Sequence, residues 1–503
     1  MGPTDLLLGI DVGTSSVKLT LPDAEGRLVA EQTRAYAVDS PRPLWSEQDP
    51  ASWWQGVCAG LRALWHEDES RRERVAAIGL TGQMHGLVLL DARGAVVRPC
   101  ILWNDQRTAA ECREITARVG PQRVIELTGN PVLAGFTAPK IAWVRKHEPE
   151  NFSRVAHILL PKDYVRYRLS GEFASDVSDA SGTSLFDVAG RRWSDTMIDA
   201  LELPRDWLPP VSESVTPCAK VSREAAGETG LRPETPIVAG AGDQAAQAVG
   251  TGIISPGDMS VTLGTSGVVF AVTDAYRPEP QGRLHAFCHA VPGVWHVMGV
   301  MLAAGGSVEW LCGVLGVSAA ELSRLAQEAP AGAEGLLFLP YLSGERTPHA
   351  DPLARGAFIG LTARHARAHL ARAVLEGVCF GLRDSLELVR GLGVQAERIR
   401  VSGGGAQSAL WRQTLADVLA TEIATVGTSA GASFGAALLA GVGGGVFASP
   451  AEAVARAVHE GERVRPGPAA RRYAAGHARY AAQYPLLRDE FAALAALAES
   501  PSA

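Results

Sequence analysis

Residues 8–19 read LGIDVGTSSVKL, and residues 260–270 read SVTLGTSGVVF. Each is an apolar run, a Gly-Thr-Ser turn and a second apolar run, so each predicts a β-hairpin. A turn built from Gly, Thr and Ser presents backbone N–H groups and hydroxyls, which suit phosphate oxygens. Standing alone, such a turn is also ordinary turn chemistry. The repetition, about half a chain apart, favours phosphate: it predicts duplicated halves whose turns close as two jaws on one polyphosphate.

Working outward, residues up to 33 read strand, turn, strand, turn, strand, with AEGR (24–27) as the second turn. A Trp-rich helix follows over 49–65, with Asp49 as N-cap and Pro50 at its first position. VAAIGLTGQ (75–83) is a buried strand, and GLVLLD (86–91) and VVRPCILW (96–103) read as further strands around the turn ARGA. PIVAGAGD (236–243) then reads as a buried strand ending on an acid, and a short small-residue helix follows. The second hairpin, a third strand over 293–302, helices, and a strand–glycine turn–helix over 398–420 retrace the first half. The expected fold is therefore α/β, with domains over 1–250 and 251–503 sharing a cleft. Beyond residue 450 the Ala/Arg-rich pattern predicts surface helices and a frayed Pro-Ser-Ala end.

Bulk properties narrow the function. The chain has 503 residues, 47% apolar and 20% charged, with a formal charge of −7, which argues against a nucleic-acid or acidic-membrane partner. Seven cysteines, an odd number with no Cys-x-x-Cys pair, favour free thiols in a reducing compartment. No secretory pattern opens the sequence, and the expected location is cytoplasmic. Residues 423–451 carry no charge but are dominated by small residues, glycine above all. That composition predicts a close-packed helix and loop in a globular domain rather than a membrane span.

The chemistry concentrates at strand ends. Asp11 sits just before the first Gly-Thr-Ser turn, where a carboxylate repels phosphate unless a cation intervenes, so its natural role is to hold Mg²⁺. A turn-initiating Asp is the competing reading. Asp243 follows AGAG and precedes the second turn; a carboxylate there suits a base that receives a proton from an acceptor hydroxyl. A helix N-cap is the competing reading. VSGGGAQS (401–408) makes a flat glycine floor that could carry a planar adenine or its phosphates, or could simply permit tight packing. It is neither a Walker A loop nor a Rossmann phrase. TGQMHG (81–86) projects Gln83 and His85 from a strand end, and ILWNDQRT (101–108) sets Trp103 beside polar side chains, a common solution for a polyol. A satisfied structural His and a core Trp remain open at this level. HAFCH (285–289) matches no zinc spacing.

With these residues in hand, the chain resembles the FGGY carbohydrate kinase family over about residues 6–490. GFTAPKIAWVRKH (135–147) is similar to the first family signature, and the stretch opening GAFIGLTARHARAHL at Gly356 to the second. GQMHG, LWSEQDP (44–50), ILWNDQR, LLPKDY (159–164), SDVSDASGT (175–183) and FLPYLSGERTPH (338–349) resemble the branch acting on D-xylulose. The resemblance implies two actin-like domains of the sugar kinase, Hsp70 and actin superfamily, ribonuclease H-like in topology. It implies phosphorylation of D-xylulose at its 5-hydroxyl by ATP with Mg²⁺, in D-xylose breakdown, and a homodimer. By position, Asp243 matches the catalytic base and Asp11 the acid near magnesium. Met84 and His85 match the sugar-contacting pair, with Gln244 and Trp103 lining the sugar pocket. Gly13, Thr14, Ser15, Gly264 and Thr265 match the phosphate turns, and Gly404, Gly405 and Ala406 the adenosine site. Ala409 departs from relatives that carry Asn there. The alternatives are a family kinase for ribulose or erythritol, and a nucleotide-driven structural protein like actin; the GQMHG and ILWNDQR motifs argue against the latter.

Overall fold

A computed structural model describes residues 5–427 and 431–499. Its N-terminal sheet is built on the first hairpin, β1 (Leu6–Val12) and β2 (Ser16–Pro22), extended by β3 (Leu28–Ala35). On the other side of β1 lies β4 (Val75–Gly82), parallel to it. β5 (Pro217–Lys220), β6 (Pro236–Val238) and β7 (Ala241–Gly242) complete it, in the order β5-β6-β4-β1-β2-β3 with β7 also pairing β4. β1 runs almost wholly apolar because it is a central strand covered on both faces. Helix α1 (Pro50–Glu67) covers one face; Asp49 caps it and Pro50 opens it, as the sequence predicts.

The C-terminal sheet repeats the scheme. The second hairpin supplies β8 (Met259–Leu263) and β9 (Gly267–Thr273), followed by β10 (His285–Cys288) and β11 (Trp295–Met301). β12 (Arg398–Ser402), β13 (Glu422–Val426) and β14 (Glu460–Val464) lie beyond β8, and the order is β10-β11-β9-β8-β12-β13-β14. β8 has an antiparallel partner, β9, on one side and a parallel one, β12, on the other, just as β1 has β2 and β4. This is the duplicated two-domain α/β fold expected from the hairpins.

Helices join the halves. α2 (Asp243–Gly250) leads from the first sheet to the second, and α3 (Gly305–Leu315), α4 (Ala319–Glu328), α5 (Arg367–Gly391) and α6 (Ala409–Leu419) belong to the second. α7 (Ala432–Gly443) comes from the uncharged stretch and turns back onto the first sheet, against β1, β4 and α2. Its small residues are what let it approach: a Cβ on Gly9 would collide with the Ser433 carbonyl, and one on Gly435 with the Ala246 carbonyl. No helix among the described residues is long and apolar enough to cross a membrane, and the cysteines are free.

Three local readings change. GLVLLD and VVRPCILW contribute only Val88–Leu90 and Cys100–Ile101, each paired in a two-stranded side sheet away from the main one. PIVAGAGD is not one strand: Gly240, at φ +73°, breaks it into β6 and β7, and Asp243 becomes the first residue of α2. β14 interrupts the expected helices after residue 450. The expected frayed end, 501–503, lies outside the described residues.

Candidate active site

The sheet register brings the two acids together. Asp11 pairs with Thr81 and Val12 with Gly82 on one side of β4, while Ala241 pairs with Thr81 and Gly242 with Gly82 on the other. Asp11 and Asp243 thus leave the carboxyl ends of strands that flank the same residues, the usual place for a ligand in a parallel sheet. Burial pushes the Asp11 carboxyl up to about 6, partly offset by the Lys18 ammonium opposite it on β2. Lys18 itself pairs with Glu31 at 2.8 Å. Burial pushes Asp243 up to about 7, and the negative charge of Asp11 adds to the effect. Gly242, not Asp243, holds the N-cap of α2; among the described residues Asp243 Oδ1 accepts only from the adjacent Gln244 N–H, at 2.7 Å. Asp11 Oδ1 is buried with no hydrogen-bond partner among the described residues.

Both Gly-Thr-Ser turns are held by their carbonyls. In the first, Gly13 O accepts from Tyr36 Oη at 2.6 Å and Thr14 O from Gln48 Nε2 at 2.7 Å. Ser15 O accepts from the Tyr36 N–H, and the Ser15 side chain is exposed. In the second, Gly264 O accepts from Gly305 N at 2.8 Å, and Thr265 O accepts from Ala304 N and Gly306 N at 2.9 and 3.0 Å. Carbonyl oxygens repel phosphate, so tying them back suits an anion at the rest of each turn, beyond the Gly13 and Gly264 N–H groups, which close the hairpins on Ser16 O and Ser266 O at 3.0 and 3.1 Å.

Beside the second turn opens an apolar cavity of about 420 Å³ in the C-terminal domain, lined by Gly305, Val308, Leu322, Gly404, Gly405 and Trp411 among others. Gly404 faces open space, whereas a Cβ on Gly405 would stand 2.5 Å from the Trp411 ring. The size and lining suit a purine. Ala406 does not line this cavity; its side chain is buried in the C-terminal core.

Of the residues expected at the sugar pocket, Met84 packs against the residue before Asp243, His85 and Gln244 follow in sequence on either segment, and Trp103 reaches the first turn. Met84 is buried, and a Cβ on Gly242 would meet its Sδ at 2.9 Å. His85 adopts φ +70° and stacks on Phe136 with ring centroids 4.2 Å apart. Its Nδ1 is 2.6 Å from the Gly182 carbonyl. A carbonyl only accepts, so Nδ1 carries the proton and Nε2 is left as an acceptor. Burial, with help from Lys140 and Arg346, pushes the ring down to about 3, so it is neutral. Trp103 is 40% exposed and donates from Nε1 to Thr14 Oγ1 at 2.9 Å. Gln244 is half-buried on the first turn of α2.

Several residues here escaped the sequence reading of individual positions. Phe136 and Lys140 both lie in the signature 135–147, but only the fold shows that one forms the floor under His85. The other holds the His85 and Gly135 carbonyls at 2.8 and 2.6 Å. Arg346, from SGERTPH, comes from the other half of the chain and acts electrostatically on both His85 and His285. By contrast Asp105 and Arg107, neighbours of Trp103, form a buried ion pair at 2.6 Å and serve structure. His285 bonds Asn130 at 2.6 Å, and no metal-holding cluster of His, Cys, Asp and Glu occurs among the described residues.

A duplicated α/β fold, with a hairpin turn from each half and an apolar cavity beside the second, is the architecture of a two-domain sugar kinase. The chain belongs to the FGGY family of carbohydrate kinases: the model of that family's N-terminal domain matches residues 6–250, and that of its C-terminal domain residues 259–444. It is 48% identical to the xylulose kinase of Escherichia coli (strain K12) over 419 residues, 83% of this chain and 86% of that protein. The crystal structure of a xyloylose kinase from Brucella ovis has a TM-score of 0.92 at 40% identity, covering 96% of this chain and 99% of that one. That of xylulose kinase from Rhodospirillum rubrum has a TM-score of 0.91 at 34% identity, covering 97% and 99%.

Proposed function

We propose that this protein transfers the γ-phosphoryl group of ATP to the 5-hydroxyl of D-xylulose, giving D-xylulose 5-phosphate. The observation that carries the reading is the contact of Met84 with Gly242, which sets the sugar-contacting pair against the residue before Asp243. The names of the relatives support the sugar.

In this reading Asp243 is the base. Its carboxyl, raised to about 7, is matched to receiving a proton near neutral pH. The neutral His85 accepts a hydrogen bond from a sugar hydroxyl at Nε2 and orients the sugar, and Trp103 covers an apolar C–H face. Thr14, Ser15 and Thr265 hold the phosphates through their N–H groups and the Ser15 and Thr265 hydroxyls, on turns that Gly13 and Gly264 shape, and Gly404 and Gly405 floor the adenosine cavity. The unpartnered Asp11 Oδ1 fits a residue that would hold Mg²⁺ through its water shell, and the ion when bound would neutralise phosphate charge. Closure of the two domains would align the sugar oxygen with the phosphorus and exclude water. The same reading carries a cytoplasmic setting and a homodimer.

The test is ADP release from MgATP across D-xylulose, D-ribulose and erythritol. D-xylulose is expected to dominate on kcat/KM. A higher value for another ketose or polyol moves the substrate, and absence of any sugar-stimulated turnover removes the kinase reading.

A further inference from the structure

One side chain touches both the sugar side and the phosphate side of the site without belonging to either. Gln83 lies between the end of β4 and Met84 and is 2% exposed. Its Oε1 accepts from Thr14 Oγ1 at 3.2 Å. Its Nε2 donates to Gln48 Oε1 at 3.2 Å and lies 3.4 Å from the Gly13 carbonyl. Gln48 Oε1 also accepts from Trp53 Nε1 at 3.0 Å, and Gln48 Nε2 donates to Thr14 O.

The direction of this chain is set by chemistry. The Trp103 indole N–H can only donate, so Thr14 Oγ1 accepts from it. The single hydroxyl proton of Thr14 is then committed to Gln83 Oε1. That in turn fixes the Gln83 amide with Nε2 towards Gln48 and Gly13. A half-exposed residue of the sugar pocket, Trp103, is thereby linked through one hydroxyl and one buried amide to the backbone of the first phosphate turn.

We propose that Gln83 is a positioning residue that couples occupancy of the sugar pocket to the setting of the first phosphate turn. It does so by holding Thr14 and Gly13 in register with Trp103 and with Met84, its own neighbour. The inference rests on the kinase reading above. Buried hydrogen-bonded networks of this kind act as units, because each member left unpaired loses its partner's bond as well.

The test replaces Gln83 by Leu, which keeps most of the volume and removes both hydrogen-bonding functions. Two quantities are measured: KM for MgATP, and the factor by which saturating D-xylulose stimulates ATP turnover. Both are expected to worsen by about tenfold, within the usual range of coupling between two sites. A residue that merely fills space would lower the melting temperature and leave both quantities alone. Trp103→Phe, at a half-exposed position, removes the N–H while keeping a smaller aromatic ring; it is expected to reduce the stimulation in the same sense. The double variant is expected to be no worse than Gln83→Leu alone, since both cut one chain. Unchanged MgATP KM and stimulation in folded Gln83→Leu, or fully additive losses in the pair, overturn the inference. Should Gln83→Leu fail to fold, an unchanged stimulation in Trp103→Phe overturns it instead. A wild-type protein with no sugar stimulation strikes the kinase reading itself, so the two failures are distinguishable.

Discussion

Asp11, on β1, and Asp243, directly after β7, stand at the same end of the N-terminal sheet on opposite sides of β4, and the charge of Asp11 helps to hold the Asp243 carboxyl up at about 7.

Replacing Asp243 by Ala removes the proposed base and is expected to lower kcat by about 10²- to 10⁴-fold. The side chain accepts a local hydrogen bond from the adjacent Gln244 N–H, so folding and ADP binding should persist. Turnover by stopped-flow or coupled assay, alongside ADP binding by calorimetry, separates the two. Near-native turnover would remove Asp243 from its role.

The acidic limb of the kcat/KM profile should fall near pH 7, because Asp243 works only when ionised. His85, pushed down to about 3, is not the source of that limb. In Asp11→Asn the neighbouring negative charge is gone, so Asp243 ionises more easily and the limb moves to lower pH. The same variant should need more magnesium for half-maximal activity. A limb that stays in place, with an unchanged magnesium titration, would separate Asp11 from the site.

Stability carries the same signature with the opposite benefit. Asp243 has a folded pKa of about 7 against 3.8 for an ordinary Asp. Its stabilising contribution is therefore full below about pH 4 and lost as pH rises through 7. Asp243→Asn cannot ionise, so it should gain over the wild type on going from pH 5 to pH 8, by on the order of 1–2 kcal/mol once the partial exposure of the carboxyl is discounted. Chemical denaturation at the two pH values measures it. A pH-independent difference would mean that burial costs this carboxylate little.

Two adjacent glycines should behave differently. Gly404 faces the cavity with nothing in reach, so Gly404→Val should fold normally, raise KM for ATP by about tenfold and leave KM for the sugar unchanged. Gly405→Ala would set a methyl 2.5 Å from the Trp411 ring and should lower the melting temperature. If Gly404→Val leaves KM for ATP untouched, the cavity is not where adenosine binds.

His85→Asn keeps a residue type that tolerates φ near +70° while removing the imidazole acceptor. It should raise the sugar KM by at least about tenfold with little change in KM for ATP. Equal changes in both constants would mean that the substitution has disturbed the cleft as a whole.

Much of this molecule was readable in advance because the signals are local. The hairpins, the Gly-Thr-Ser turns and the Asp49–Pro50 helix start each depend on a few consecutive residues, and all three occur where the pattern puts them. PIVAGAGD misled because apolar content alone does not reveal the break that Gly240 makes at φ +73°. The uncharged stretch announced close packing but not its partners: α7 returns to the first sheet and to α2, where Gly9 and Gly79 on the strands and Gly435 on α7 itself let backbones meet.

Residue order alone settled the duplicated hairpins, the turn chemistry and the polar residues at the strand ends, since backbone propensity and turn geometry are properties of neighbours along the chain. It took the folded arrangement to bring Asp243 within the field of Asp11, to place Phe136 under His85 and Arg346 near it, to exclude Ala406 from the cavity, and to thread Trp103, Thr14 and Gln83 into one hydrogen-bonded line. Charge, burial and hydrogen bonding act through space, and the distances that govern them exist only once remote segments have packed together.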